Sequence, residues 1–456
     1  MARTLSAVAR EVGGELVGED SEFEGVSIDS RELESGSLFV AISGDRFDGN
    51  DFLADAQSKG AAGAVVSRLA SLSLPQVRVL DTRDAFAQVA RAWRGNFSIP
   101  VIAVTGSNGK TTVKALIANI LGARREICVT RGNLNNDLGV PLTLMELGEE
   151  HEVLVIELGA NHPGEIGYLS ELAQPTVGVI TNANAAHLEG FGSVEGVAAA
   201  KGELLDHLPS AGTAVINADD KYCADWRARS QAEKVISFGL GNGADCKVNG
   251  EIVVEPEGSR FKLQLPEGTE LQMQLPLAGR HNVLNSLAAA AAAHAVGASG
   301  EEIQTGLSQA HAVEGRLNLL PGRGGAMIID DSYNANPEST RAALDFLREC
   351  EGNRLFVLGD MAELGETAPA LHREIGEYAR ECCDALFAIG DLSRHAASGY
   401  GGDGRFFSEL ASLQQALEPL LAEDTTLLLK GSRVMELERL VARLGAGREV
   451  SEASAC

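Results

Sequence analysis

Val101-Ile-Ala-Val-Thr-Gly-Ser-Asn-Gly-Lys-Thr-Thr112 runs from an apolar strand through a glycine-rich turn into a lysine and two hydroxyls. It reads as a phosphate cradle. Gly106 and Gly109 let the backbone turn tightly and approach a polyphosphate, so that amide N–H groups and the positive end of a helix from Val113 to Leu121 face its oxygens. Thr105, Gly106, Ser107, Asn108, Gly109, Lys110, Thr111 and Thr112 are the expected ATP contacts, with Lys110 on the β- and γ-phosphates and the Thr111 hydroxyl on Mg²⁺. The commoner pattern has a glycine five residues before the second one. Val104 stands there, which makes this the shorter form G-x-x-G-K-T-T.

Outward from this loop, strands alternate with helices. Val101–Val104, Val153–Glu157, Val177–Thr181 and Ala214–Asn217 are short apolar runs with polar last residues. A parallel, helix-flanked sheet reads this way, and its ligands collect at the strand C-terminal ends. The alanine run Ala288–Ala293 reads as close-packed helix. Upstream, a strand at Ser37–Ile42, a helix at Asp51–Lys59 and a strand at Gly63–Ser67 make a small α/β unit, followed by a helix at Thr82–Asn96. Downstream of Arg316, strands at Ala326–Asp330, Leu355–Leu358, Leu386–Ile389 and Thr426–Leu429 make a third block. The expected fold is α/β in three domains. Residues 1–82 form a small N-terminal α/β domain, 83–312 a central, mostly parallel phosphate-loop sheet flanked by helices, and 313–456 a Rossmann-like α/β domain. A chain of 456 residues with 45% hydrophobic content suffices for two or three such cores.

Composition excludes several classes. Lys and Arg number 38 against 64 Asp and Glu, a net charge of −26, and that field repels nucleic acid and anionic membrane. An anionic nucleotide must therefore meet a local positive site. The N-terminus lacks the apolar core of a signal peptide, and no run is long enough to insert in a membrane. The seven cysteines are scattered with no C-x-x-C, so neither a zinc site nor a disulfide framework is expected and a cytoplasmic location is.

Further polar residues fall where the strand ends converge. Glu157 closes Val153-Leu-Val-Ile-Glu157, and His187 follows the next strand. Either these two hold a divalent cation together with Thr111, or Glu157 caps a helix and His187 is a hydrogen-bonded loop residue. Lys201 lies early in a helix expected over Val194–Leu208. It is either a solvated lysine or a buried one that loses its proton, the form that can react with carbon dioxide to give a carbamate. Asp330-Asp-Ser-Tyr-Asn-Ala-Asn-Pro337 supplies acids and amides for a ribose or metal, or else caps the following helix.

Thr105–Thr112, Glu157-Leu-Gly-Ala-Asn161, Asn182 to His187, Asn217-Ala-Asp-Asp220, Gly279-Arg-His-Asn-Val-Leu-Asn285, Glu314-Gly-Arg316 and Asp331-Ser-Tyr-Asn-Ala-Asn-Pro337 together resemble the ordered signature set of the Mur ligases, over nearly the whole chain. Ser27-Ile-Asp-Ser-Arg31, Gly44-Asp-Arg-Phe-Asp-Gly-Asn50 and Leu358-Gly-Asp-Met-Ala-Glu-Leu-Gly365 resemble the branch of that family that uses D-alanyl-D-alanine. Folylpolyglutamate synthases share the phosphate loop but not the N-terminal block.

The resemblance implies an ATP-dependent amide ligase of peptidoglycan precursor synthesis, acting as a monomer with Mg²⁺. Its substrates would be UDP-N-acetylmuramoyl-tripeptide and D-alanyl-D-alanine, with the UDP-sugar end on the first block, ATP on the second and the dipeptide approached by the third. Lys110, Glu157, His187 and Lys201 are then the expected catalytic residues, and Thr111, Glu157 and His187 the metal ligands. Asn282 and Asn285 would face adenine, with Arg316 and Asp331 on the phosphates and ribose. Ser30, Arg31, Arg46 and Asp48 would contact uridine diphosphate. Asn133, Asn135, Asn136 and Asp137 would hold the sugar-peptide, Asn334 would contact substrate, and Lys430 and Arg433 would pair with the dipeptide carboxylate. The alternative for Arg316 is a hinge ion pair, for the uridine and sugar-peptide candidates a polar turn, and for Lys430 and Arg433 solvated basic residues.

Overall fold

The computed structural model describes residues 3–44, 47–241 and 243–446, so Arg46 lies outside the described residues. Three sheets follow one another along the chain. The first has five strands, in spatial order Glu15–Val17, Gln76–Arg78, Gly63–Val66, Leu38–Val40 and Val26–Ser27. Only the Glu15–Val17 edge runs antiparallel. The helix expected over Asp51–Lys59 begins as a 3₁₀ turn at Gly49–Phe52, where the Asp48 carboxylate accepts the Asn50 N–H, and becomes α-helical over Leu53–Ser58.

The central sheet has ten strands. Its parallel part runs Ile127–Val129, Val153–Glu157, Val101–Thr105, Val177–Ile180, Thr213–Asn217, Lys234–Gly239 and Cys246–Val248. The phosphate-loop strand lies inside it, every residue buried, because Val101, Ile102, Ala103 and Val104 meet apolar helices on both faces. An antiparallel extension, Val253–Glu255, Gly258–Gln264 and Glu270–Leu275, was not anticipated from the sequence. Its strands bury alternate residues, Phe261 and Leu263 on one and Leu271, Met273 and Leu275 on the other, with charged and amide side chains between. That is the period-2 pattern of a one-sided sheet.

Helix Arg280–Ala295 carries the alanine run. Ala288 to Ala293 are all fully buried, and the helix lies against the phosphate-loop helix Lys110–Gly122. That second helix starts three residues before the expected Val113, because Gly109, at φ 84°, turns the chain directly into it. Helix Thr82–Arg94, capped by the Asp81 carboxylate, rests on Gly139–Met145 and Glu165–Ala173 of the central block.

The third sheet has six strands, in order Asn318–Pro321, Met327–Asp331, Thr425–Lys430, Asn353–Gly359, Ala385–Ile389 and Gly404–Phe407. All but the first are parallel. Among the described residues no helix is long and apolar enough to cross a membrane.

Candidate active site

Gly106 and Gly109 are required by close approach as well as by φ. A Cβ on Gly106 would lie 1.9 Å from Thr181 Oγ1, and one on Gly109 would lie 2.4 Å from Asn285 Oδ1. The loop is held from behind by the segment after the next strand. The Ser107 N–H donates to the Asn182 carbonyl at 3.0 Å, the Asn108 N–H to Asn182 Oδ1 at 2.9 Å, and Thr181 Oγ1 to the Asn108 carbonyl at 2.6 Å. Thr105 is part of this support: its hydroxyl is buried on the Leu158 carbonyl at 2.9 Å.

The loop opens on a cleft of about 1210 Å³ between the central and C-terminal blocks. Ser107, Asn108, Gly109, Lys110, Thr112, Glu157, His187, Asn282, Asn285, Arg316, Asp331, Asn334 and Lys430 all line it. Lys110 Nζ folds back onto the Gly106 carbonyl at 2.7 Å, and burial, with Arg316 adding and Glu157 opposing, lowers its ammonium to about 8. A polyphosphate would supply the negative partner those carbonyls only partly replace.

Glu157 is the deepest acid of the site. Asn135 Nδ2 donates to its Oε1 at 2.8 Å, and Lys114 Nζ approaches Oε2 at 3.3 Å. Burial alone would raise this carboxyl, but Lys110, Lys114, the Asn135 amide and Arg316 outweigh it and hold the group below its ordinary value. Lys114 had no role in the sequence reading, although Lys110 and Lys114 stand one helical turn apart and share a face.

Among the described residues no three His, Cys, Asp or Glu side chains converge as a metal cage. Glu157 Oε2 nevertheless lacks a hydrogen-bond partner while buried. A carboxylate oxygen beside a phosphate loop, held only by the ion pair with Lys114, suits Mg²⁺, which takes few protein ligands and completes its shell with water and phosphate. Thr111 Oγ1 accepts from Arg316 Nη2 at 3.0 Å. His187 meets Glu363 of the C-terminal block through Nδ1. Lys201 is fully buried behind the cleft, 5.2 Å from the centroid of the Phe191 ring, and burial, reinforced by the charge of Lys110, lowers it to about 7.

The C-terminal block reaches the loop through side chains. Asn108 and Asn336 exchange amide hydrogen bonds at 3.3 and 2.7 Å, and Asn336 also caps helix Pro337–Arg348. Arg316 lies over the Tyr333 ring at 4.4 Å. Lys430, expected on a dipeptide carboxylate, is buried with its ammonium 2.5 Å from Asp331 Oδ2 and 3.0 Å from the Asn334 carbonyl. Arg433 does not line the cleft and pairs with Glu438 at 3.0 Å. His281, Glu338 and Glu363 line the cleft without having been singled out from the sequence.

Asn133, Asn135, Asn136 and Asp137 line the same cleft. Asn136 Oδ1 accepts the Gly139 N–H at 2.9 Å, and Asp137 pairs with Arg83. The described uridine candidates stand apart. Ser30 is buried with its carbonyl on Lys59 Nζ at 2.7 Å. Arg31 pairs with Asp29 at 2.6 Å, and that hydrogen bond pulls the Asp29 carboxyl down to about 2. Asp48 binds the Asn50 amide, Ser43 and Arg68, and falls to about 2, the Asn50 bonds contributing most.

The Mur ligase middle domain matches residues 104–293, the Mur ligase glutamate ligase domain 315–433, and the Mur ligase family catalytic domain 22–94. The chain is 43% identical over 444 residues to the UDP-N-acetylmuramoyl-tripeptide–D-alanyl-D-alanine ligase of Escherichia coli K12, covering 97% of this chain and 98% of that protein. The crystal structure of MurF from Acinetobacter baumannii superposes with a TM-score of 0.92 at 37% identity, covering 97% of this chain and 99% of that one. MurF from Thermotoga maritima in complex with ADP gives 0.83 at 28% identity, covering 92% and 96%. A phosphate loop seated in a central parallel sheet, faced by a second α/β block and matched end to end in this way, places the chain in the Mur ligase family.

Proposed function

We propose that this chain is the ligase that joins D-alanyl-D-alanine to UDP-N-acetylmuramoyl-tripeptide, giving UDP-N-acetylmuramoyl-pentapeptide, ADP and phosphate. The phosphate loop opening on a cleft shared by two α/β blocks carries this reading, because it brings ATP and an acceptor to one place. The near full-length likeness to ligases of that name supports it. In this reading residues 1–82 hold the UDP-sugar, 83–312 the ATP and 313–456 the dipeptide, in a cytoplasmic monomer.

The chemistry follows from the difficulty of making an amide from a carboxylate. The terminal carboxylate of the tripeptide attacks the γ-phosphorus of ATP; the bond to the β–γ bridging oxygen breaks, ADP leaves, and an acyl phosphate forms. The dipeptide amine then attacks the acyl carbon, the tetrahedral adduct expels phosphate, and the nitrogen gives up its extra proton. Such phosphoryl transfer depends on position and charge. Lys110 and the N-terminus of its helix neutralise the transferred group, and Arg316 approaches from the C-terminal block. Mg²⁺ held by Thr111 and Glu157, with His187 beside them, would supply further charge on the phosphate oxygens. Lys201, lowered to about 7 by its burial, has at neutral pH a share of the uncharged amine that can add carbon dioxide. Contact between the blocks keeps water from the acyl phosphate.

The test is phosphate release from Mg-ATP and UDP-N-acetylmuramoyl-tripeptide, with and without D-alanyl-D-alanine, with the product identified by mass. Dipeptide-dependent release with a pentapeptide product is expected. Release indifferent to the dipeptide would move the assignment to another amine acceptor. Running tripeptides ending in diaminopimelate and in lysine side by side identifies the third residue.

A further inference from the structure

Strand Asn353–Gly359 delivers a short arm, Asp360 to Gly365, across the seam to the central block. Its base is fixed at several points. Asp360 Oδ1 accepts the Leu392 and Ser393 N–H groups at 3.0 and 2.7 Å, the Met361 N–H donates to His372 Nε2 at 2.9 Å, and the Ala362 N–H donates to Ser432 Oγ at 2.8 Å. Glu363 at the tip has φ 61°, and His187, which it meets, has φ 54°. Neither is glycine, so each holds a left-handed conformation that persists only where its surroundings impose it.

Two bonds join Glu363 to the segment around His187 across the blocks. The Glu363 carboxylate meets His187 Nδ1, and the Glu363 carbonyl accepts the Glu189 N–H at 3.2 Å. On its other side the imidazole stands edge-on to Phe191, centroids 6.5 Å apart. Both His187 and Glu363 line the nucleotide cleft. An imidazole whose Nδ1–H donates to a carboxylate is fixed in one tautomer and one orientation, with Nε2 left as the lone-pair atom. The remaining cleft acids of the C-terminal block are differently engaged: Asp331 is neutralised by Lys430, and Glu338 lies in the first turn of its helix.

We propose that Glu363 is the positioning residue for His187, a carboxylate of the C-terminal block that sets the tautomer and aim of a central-block imidazole, so that the imidazole is presented correctly only when the two blocks are together. A residue from one domain thereby completes a catalytic group of the other. The effect on turnover rests on the amide-ligase reading above; the state of the ring does not.

The experiment is ¹⁵N spectroscopy of the histidine rings in the full chain, with the His187 signals identified by their loss in H187Q, beside steady-state kinetics of E363A, E363S and E363Q. The wild type is expected to show His187 protonated at Nδ1. E363A and E363S are expected to shift it toward the Nε2–H tautomer and to lower kcat about 10- to 100-fold with little change in KM for ATP. E363Q, whose amide oxygen still accepts from Nδ1–H, is expected to keep the wild-type tautomer and most of the turnover. If E363A does not fold, E363S carries the comparison. Loss of turnover with an unmoved His187 signal would overturn the proposal and leave Glu363 a structural clasp. A tautomer change with unaltered kcat in a dipeptide-dependent enzyme would overturn it too. Absence of dipeptide-dependent turnover in the wild type would count instead against the ligase reading.

Discussion

The phosphate loop and the Asp360–Gly365 arm are both turns at the C-terminal ends of parallel strands, yet they work by different means. The loop uses its main chain. Its glycines allow close approach, its Ser107 and Asn108 amides are tied back to Asn182, and its support is a neighbouring strand end in the same sheet. The arm uses a side chain whose partner, His187, lies 176 residues away in another block. A main-chain site is carried by local sequence rules; a site shared between blocks exists only once the domains have packed.

The largest way to break that contrast is Lys110→Ala. Removing a cation from the transferred phosphoryl group is expected to lower kcat about 10³-fold, read by phosphate release, while the circular dichroism spectrum stays unchanged. Lys114→Met tests the layer beneath. It leaves Glu157 buried without its nearest cation, and losing one partner of such a pair costs about 3 kcal/mol of stability, measured by urea unfolding; an unchanged midpoint would mean that water takes the place of the ammonium. Gly109→Ala probes the main chain itself. With φ 84° and Asn285 Oδ1 at 2.4 Å from the new Cβ, it is expected to cost about 1–3 kcal/mol and to weaken ADP binding measured by calorimetry.

The buried lysines give a smaller, pH-dependent effect. Lys201 sits at about 7 in the folded chain and near the ordinary lysine value when unfolded, so between those values the unfolded chain binds the extra proton. Stability therefore rises with pH above about 7, and the contribution is level below it. Lys201→Met should remove up to about 1.4 kcal/mol per pH unit from that slope, seen in urea titrations at pH 7.5 and 9.5. The smallest expected effect is that of Arg31→Ala. This exposed residue is paired with its neighbour Asp29, so the melting temperature should hold while KM for the UDP-tripeptide rises; an unchanged KM would remove Arg31 from the uridine contacts.

The parallel strands were legible because burial on both faces forces continuous apolar runs, as in Val101–Val104 and Val153–Leu-Val-Ile156. The extension Gly258–Gln264 and Glu270–Leu275 escaped because its polar faces break up such runs, although its alternation was present to be counted. The motif residues Lys110, Glu157, Asn282 and Arg316 do reach one cleft. Lys114 was missed because a lysine in an amphipathic helix normally reads as solvated. The environment of Lys430 depends on Asp331, a residue of the neighbouring strand, and Arg433, after the same strand, pairs with Glu438 while its guanidinium lies 5.8 Å from the centre of the Tyr333 ring. No spacing rule separates those two fates.

The alanine helix has a consequence for mutational tolerance. Six alanines with no exposed surface let Arg280–Ala295 pack at once on the phosphate-loop helix and on strands of the central sheet, and a Cβ on Gly306 of the neighbouring helix would stand 2.4 Å from Ile120 Cα. There is no room to grow. Any enlargement along this seam would tilt the helix bearing Asn282 and Asn285 relative to the loop they flank. In a random-mutagenesis screen, conservative changes of alanine to valine far from any substrate should therefore emerge among the inactive clones, making the smallest side chains in the domain a large part of its genetic target.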